Sequence, residues 1–411
     1  MHPLFLTFWR SVPWPQSVRQ LVERLVLYPY LPHIKRSSCY PSGPPVIASF
    51  LQSGFGIAQA ARFEVTALRN GGIPVELIDL SETYHNQDLC DPAFKTTENL
   101  STTGPLFIHV NGSETGRALK SLDKKLVENR PIIGIWAWEL NQPPPYWDRA
   151  YRYLDELWVP TMFVAEAFRE SCPLPLKIVP HPVTISASGK HDRTTFGLPE
   201  KGCLFLCMAD ARSDFERKNI LGSVAAFRKR FDERPDINLA LKVHHTEFAN
   251  ENMQRLHKAI EGTTNIHIID RLMNKHEVND LINCCDVFVS LHRAEGFGLP
   301  LAEAMLLGKP VIATAYSGNM DFMPEDGETL IDYKIVPVAT NNRNYQQCFD
   351  AKWADPDIEQ TAAIMARLAD DQAFRARMGQ LFADRARMNF SEEKFCAAVI
   401  DAQRRYSSEH S

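Results

Sequence analysis

From residue 45 onward, short apolar runs of β type alternate with stretches of helical periodicity. This alternation narrows the folds open to the 411 residues more than any other feature. A first series of runs occupies 45–51, 74–80, 106–111, 131–138, 156–159 and 177–180. A second occupies 203–208, 238–244, 266–269, 286–291, 310–314 and 329–333. Helical patterns lie between them, as at 58–70, 219–231 and 301–307. Runs that are apolar at nearly every position belong in parallel strands covered on both faces. The expected fold class is α/β, built as two doubly wound, Rossmann-like domains. The polar, turn-rich stretch TISASGKHDRTTFGLPE at 184–200 reads as the linker between the series. The expected domains are 37–183 and 184–390, followed by a helical tail in 391–411. Open α/β sheets take ligands at the carboxyl ends of their strands, so a cleft between the domains is the expected site.

Composition removes several alternatives. Lys and Arg number 45 against 50 Asp and Glu, a net charge of −5, which argues against a nucleic-acid binder. No apolar run approaches the ~18 residues of a membrane span. The nine cysteines form no C-x-x-C pair and sit mostly in apolar segments. They read as reduced core thiols of a cytoplasmic protein. The N-terminus lacks the basic region of a signal peptide. Residues 1–36 differ from the rest: five basic residues face one acid, a charge of +4, among many aromatics. Apolar residues recur near helical spacing from Val18 to Val26. Two readings stay open: a segment lying on the cytoplasmic membrane face, or a helix packed on its own domain.

The chemistry concentrates in Ser290 to Glu303, SLHRAEGFGLPLAE. A buried run ends in a glycine-containing loop, and a helix opens after it. Gly296 and Gly298 allow close backbone approach to a ligand, and a helix N-terminus suits a phosphate. Glu295 and Glu303 offer carboxylates to paired hydroxyls, as on a sugar or ribose. A second basic stretch, ARSDFERKN at 211–219, follows the first run of the second series. Cations at a helix start oppose its dipole, which favours a bound anion there. In the first half, SGFGIAQAAR at 53–62 lacks the third glycine of a dinucleotide fingerprint. Asp355-Pro-Asp357 precedes a helical pattern and reads as a helix start rather than a metal motif. His244-His245 has no further ligand group at suitable spacing, and no essential metal is expected.

The stretch EGFGLPLAEAMLLGKPVIATAYSGNMDFM at 295–323 resembles the donor-binding signature of retaining family-4 glycosyltransferases of the GT-B fold. SLHRAEGFGLPLAEAM is especially similar to members that build bacterial O-antigens and exopolysaccharides. The resemblance spans roughly residues 45 to 400 and is strongest from 203 to 325. It implies two Rossmann-like domains facing a central cleft, with the C-terminal tail crossing back to the first. It implies Glu295 beside the donor sugar, where it supports positive charge at the anomeric carbon, and Glu303 at the nucleotide ribose. The loop amides of Gly296, Phe297, Gly298 and Leu299 would hold sugar hydroxyls and phosphate. A basic pair would grip the diphosphate. Lys218 fits one member; the usual spacing of the other lands on Ser213, leaving Arg212 as the favoured partner and Arg217 as the alternative. Arg271 and Leu272 would meet the nucleobase, Gly54 and Gly56 would face the cleft, and His109 would stand beside the donor sugar unless it is a core histidine. Trp136-Ala-Trp-Glu139 resembles a stretch of the same subgroup; Trp138 and Glu139 either face the acceptor or, for the tryptophans, lie buried.

The implied reaction is metal-independent transfer of a hexosyl unit, mannosyl favoured, from a nucleoside-diphosphate sugar, with no cofactor. The implied acceptor is a glycan or polyprenyl-diphosphate-linked oligosaccharide, and no nucleic acid is implied. Two alternatives remain: another sugar-nucleotide enzyme such as a disaccharide synthase or epimerase, or a catalytically silent assembly partner.

Overall fold

The computed structural model describes residues 37, 39–84, 91–185, 187–211, 213–246, 250–324, 327–340, 342–345 and 347–407. The basic N-terminal segment, and both readings of it, lie outside these residues.

Each of the twelve apolar runs overlaps a strand. The first six are β1 (Val46–Ser49), β2 (Glu76–Asp79), β3 (Leu106–His109), β4 (Ile132–Ile135), β5 (Glu156–Val159) and β6 (Leu176–Ile178). They form one parallel sheet in the order β2-β1-β3-β4-β5-β6. The second six are β7 (Cys203–Asp210), β8 (Ile237–His244), β9 (Ile266–Asp270), β10 (Val287–Ser290), β11 (Val311–Thr314) and β12 (Leu330–Ile331). Their order is β12-β11-β10-β7-β8-β9, again parallel. β1, β3, β4, β5 and β11 are buried at every position. That burial explains why their sequences do not alternate. In both sheets the strand order reverses beside the first strand, the kind of switch point where such folds take ligands.

Seven helices carry or brace the candidate residues: α1 (Gly56–Asn70), α2 (Phe215–Lys218), α3 (Ile220–Phe231), α4 (Lys275–Cys284), α5 (Leu299–Leu306), α6 (Ile358–Asp370) and α7 (Glu392–Tyr406). α7 packs on α1 through Phe395, Cys396 and Val399. It is tied to the first sheet by Lys177–Asp401 at 3.1 Å and Arg405–Glu156 at 2.9 Å. Among the described residues the cysteines are free thiols, and no helix is long and apolar enough to cross a membrane.

One element has no counterpart in the sequence pattern. β13 (Tyr333–Pro337) and β14 (Lys352–Pro356) form an antiparallel hairpin. β13 is largely exposed and β14 carries charges and a proline, so neither has the signature of a core strand. The segment nevertheless reaches the first domain: Tyr345, Cys348, Ala351 and Trp353 join its core. Asp357 caps α6, its side chain accepting from the Gln360 N–H at 2.9 Å. Asp355 lies in β14 and pairs with Arg293.

Candidate active site

The loop between β10 and α5 is held from several sides. His292 is fully buried, its Nδ1 3.0 Å from Ser290 Oγ and its Nε2 3.0 Å from Asn319 Oδ1. The Glu295 N–H donates to Ser317 Oγ at 2.8 Å, and the Gly318 N–H donates to the Glu295 carbonyl at 2.9 Å. From the first domain, Thr161 Oγ1 donates to the Gly296 carbonyl at 2.8 Å. Gly298 enters α5 at φ +96°, a left-handed conformation suited to glycine. A Cβ on Gly296 would stand 2.6 Å from the Trp138 carbonyl oxygen. Gly296→Ala is therefore expected to cost roughly 1–3 kcal/mol, as overpacking does, read as a lower urea midpoint. A Cβ on Gly56 meets nothing within 4 Å, so Gly56→Ala is expected to leave the midpoint nearly unchanged. Equal midpoints for the two variants would contradict this packing. Phe297 is not displayed to a ligand: its ring packs on Phe322, Phe390 and His181.

At this loop the charges converge. Glu295 is 7% exposed, with Lys218 Nζ at 2.5 Å and Arg217 Nη1 at 3.1 Å from Oε1. Burial alone would raise the Glu295 pKa, but the charges of Lys218 and Arg217 hold it at about 2, against an ordinary 4.5. Lys218 ends α2, and Asn219 turns the chain there at φ +50°. The Asn219 side chain donates to the Leu291 carbonyl at 2.9 Å and caps α3 by accepting from the Gly222 N–H at 3.2 Å. That double anchor aims Lys218 at the loop. Arg217 is buried; it donates to the Ala294 carbonyl at 2.9 Å and lies 3.6 Å from Glu139. Burial opposes its charge, but Glu295, Glu139 and Asp214 keep it protonated. A solvated helix start, the alternative for this basic pair, does not describe it. Arg212 lies outside the described residues, and Arg217 is the arginine found beside Lys218 and Glu295.

The remaining candidates are distributed around this centre. Glu303 is buried on α5 and paired with Lys275, whose Nζ lies 5.6 Å from the centre of the Phe63 ring on α1. Arg271 follows β9, 3.4 Å from Glu277 and over the Phe196 ring, while Leu272 is exposed. Leu299 is the first residue of α5. Gly54 belongs to the loop after β1, where Arg62 donates to the Leu51 and Ser53 carbonyls at 2.9 and 2.8 Å. Trp138 is buried against Trp147 and Tyr345, its Nε1 donating to the Gln142 carbonyl at 2.7 Å. It is a core ring, not an open sugar platform; its neighbour Glu139 is the part that reaches Arg217. His109, at the end of β3, is buried and bound to Glu64 on α1 at 2.9 Å. Glu64 also binds His181 at 3.1 Å. Neither partner carries a sequence signal that would have found it. Contrary to the reading from spacing, His244-His245 does have a companion ligand group. β7 and β8 pair Asp210 with His244 in register, leaving Asp210 3.4 and 3.1 Å from the two imidazoles.

Buried carboxylates held below their ordinary range make stability pH-dependent. Glu64 is lowered because its two histidines outweigh the burial that would raise it. The stability that Glu64 and Glu295 contribute is present above about 4.5 and is lost as the pH falls toward about 2. His181, lowered by burial, acts with the same sign below 6.5. The urea midpoint is expected to fall between about pH 7 and about pH 3.5, and to fall less in Glu295→Gln. A wild-type midpoint that stays flat over that interval would count against these assignments.

Residues 192–381 match the family described as Glycosyl transferases group 1. Trehalose synthase of Pyrococcus horikoshii is 26% identical over 321 residues, covering 67% of this chain and 74% of that protein. HepE of Anabaena, solved with UDP-glucose, superposes with a TM-score of 0.59 at 13% identity over 87% of this chain and 98% of its own. A glycosyltransferase of Rickettsia africae gives 0.61 at 13% identity over 90% and 99%. Sucrose-phosphate synthase of Thermosynechococcus elongatus gives 0.59 at 16% identity over 88% and 98%.

Proposed function

We propose that this chain, whose residues 192–381 match the group 1 glycosyl transferases, is a retaining enzyme of the GT-B fold that moves a hexosyl unit from a nucleotide sugar to a carbohydrate hydroxyl in building a cell-surface glycan. The observation that carries this is Glu295, buried yet ionised, with Lys218 2.5 Å away at the mouth of the loop that opens α5. In this mechanism Lys218 neutralises the leaving diphosphate, the place where negative charge grows as the bond breaks. Glu295 supports the positive charge that develops at the anomeric carbon. The acceptor attacks on the face the diphosphate leaves, and the departing phosphate takes its proton. Glu303 receives the ribose hydroxyls, and Arg271 and Leu272 border the base. Glu139 lies toward the acceptor. Enclosure between the domains keeps water from competing as acceptor. The acceptor proposed is a glycan or lipid-diphosphate-linked oligosaccharide; the basic aromatic segment 1–36 would hold the enzyme at the membrane face.

A second reading, a synthase acting on a free sugar, is favoured by the similarity to a trehalose synthase. The deciding experiment is a donor panel of GDP-mannose, UDP-glucose, UDP-N-acetylglucosamine and dTDP-rhamnose against lipid-linked glycans and free hexoses. Nucleotide release and the anomeric configuration of the product are followed. One donor consumed with retention, on a glycan acceptor, is the expected result. Transfer to a free hexose alone would replace it with the second reading. Nucleotide binding without turnover of any donor would favour a silent assembly partner.

A further inference from the structure

Three ionisable groups from three separate elements meet behind the donor loop. Glu64 lies in α1, His109 ends β3, and His181 follows β6. The two oxygens of Glu64 are used separately: Oε2 is 2.9 Å from His109 Nδ1, and Oε1 is 3.1 Å from His181 Nδ1. All three side chains are at most 3% exposed. The imidazoles lie nearly parallel, with centroids 5.6 Å apart and planes at 17°.

A carboxylate this deep is tolerated only when its oxygens are bound. An ionised carboxylate can only accept, so each imidazole must carry its proton on Nδ1. Burial holds His181 below its ordinary value, so it is neutral at physiological pH and its Nε2 is an acceptor. His109 Nε2 is fully buried and has no hydrogen-bond partner. A buried polar atom left open in an otherwise satisfied cluster points to a ligand group that completes it. The cluster packs directly behind the donor loop: the His181 ring stands edge-on to Phe297 at 4.9 Å, two residues after Glu295.

We propose that Glu64 is a positioning residue for glycosyl transfer. It holds His109 in the Nδ1–H tautomer, so that Nε2 accepts from a hydroxyl of the donor sugar, and ties that imidazole through His181 to the donor loop. The proposal rests on the glycosyl-transfer reading of the same site. Nothing in the chemistry of Glu64 requires it to touch substrate.

The test uses Glu64→Gln and Glu64→Asp in the full chain. A glutamine carbonyl can serve one imidazole N–H, while its amide donates, so the two rings can no longer share one tautomer. In wild type, nitrogen NMR of labelled histidines is expected to show both buried rings protonated at Nδ1. In Glu64→Gln at least one of them changes tautomer. kcat with the nucleotide sugar is expected to fall at least roughly tenfold, while the affinity for the nucleoside diphosphate alone, which has no sugar, stays within about twofold. Glu64→Asp keeps the tautomer and recovers part of the rate. Wild-type histidines in the other tautomer would overturn the proposal, as would Glu64→Gln with unchanged kcat and KM. So would zinc taken up by wild type and lost in Glu64→Gln, since the same three residues place ligand atoms close enough to share an ion. Failure of the underlying reading looks different: wild type itself would bind no nucleoside diphosphate and turn over no donor.

Discussion

Glu295→Gln is expected to lower kcat about 10²–10³-fold, the scale of removing one preorganised electrostatic group, while nucleoside diphosphate binds as tightly as before or more tightly. The two effects have opposite signs for one reason. The carboxylate 2.5 Å from Lys218 Nζ neutralises the cation that must hold the leaving group. Removing its charge frees Lys218 for the diphosphate but leaves the anomeric carbon without its negative neighbour. Glutamine is nearly isosteric, and Arg217 retains Glu139 at 3.6 Å, so the fold should survive. Steady-state kinetics and calorimetry on the same preparation read both quantities. A parallel fall in kcat and nucleotide affinity would mean that Glu295 holds the loop together rather than acting on the sugar.

Lys218→Met makes the converse prediction. The side chain is 18% exposed and aimed by the Asn219 turn. Its loss removes the cation from the diphosphate and leaves Glu295 with Arg217 alone. Truncating one member of a close charge pair costs about 2–5 kcal/mol. With partial exposure the lower end applies, roughly 30-fold or more in Kd. The double variant Lys218→Met/Glu295→Gln should be more impaired in nucleotide binding than the single effects add up to, because the gain from removing Glu295 depends on the Lys218 it frees. Strict additivity would show that the short contact does not matter energetically.

The range of each interaction separates the features legible in the sequence from those that were not. Strands such as Val46–Ser49 and Val311–Thr314 were legible because two-sided burial forces every position to be apolar. The loop from Glu295 to Leu299 was legible because glycines and acids crowd into a few residues. Gly296 also answers to a distant constraint, the Trp138 carbonyl from the other domain, that no local pattern reveals. Arg217 stood as the alternative to Arg212 because the expected spacing of the basic pair falls on Ser213, and Arg212 itself lies outside the described residues. Only the packed chain shows Arg217 bonded to the Ala294 carbonyl. Glu64 lies within the helical pattern at 58–70 with no local mark that sets it apart. Its two histidines lie 45 and 117 residues away, so their convergence exists only in the fold. The hairpin Tyr333–Pro356 was hidden for the opposite reason: its strands are exposed or charged and lack the core signature.

The proposed mechanism stands on a nucleoside-diphosphate site built from Lys218, Glu295 and Glu303. Calorimetric titration of UDP, GDP and dTDP into the wild-type chain in EDTA, repeated with Lys218→Met, decides whether that site exists. One of the three is expected to bind without added metal, and Lys218→Met to weaken it by roughly 30-fold or more. If none binds, or if Lys218→Met binds as well as wild type, the donor site is not where these residues put it.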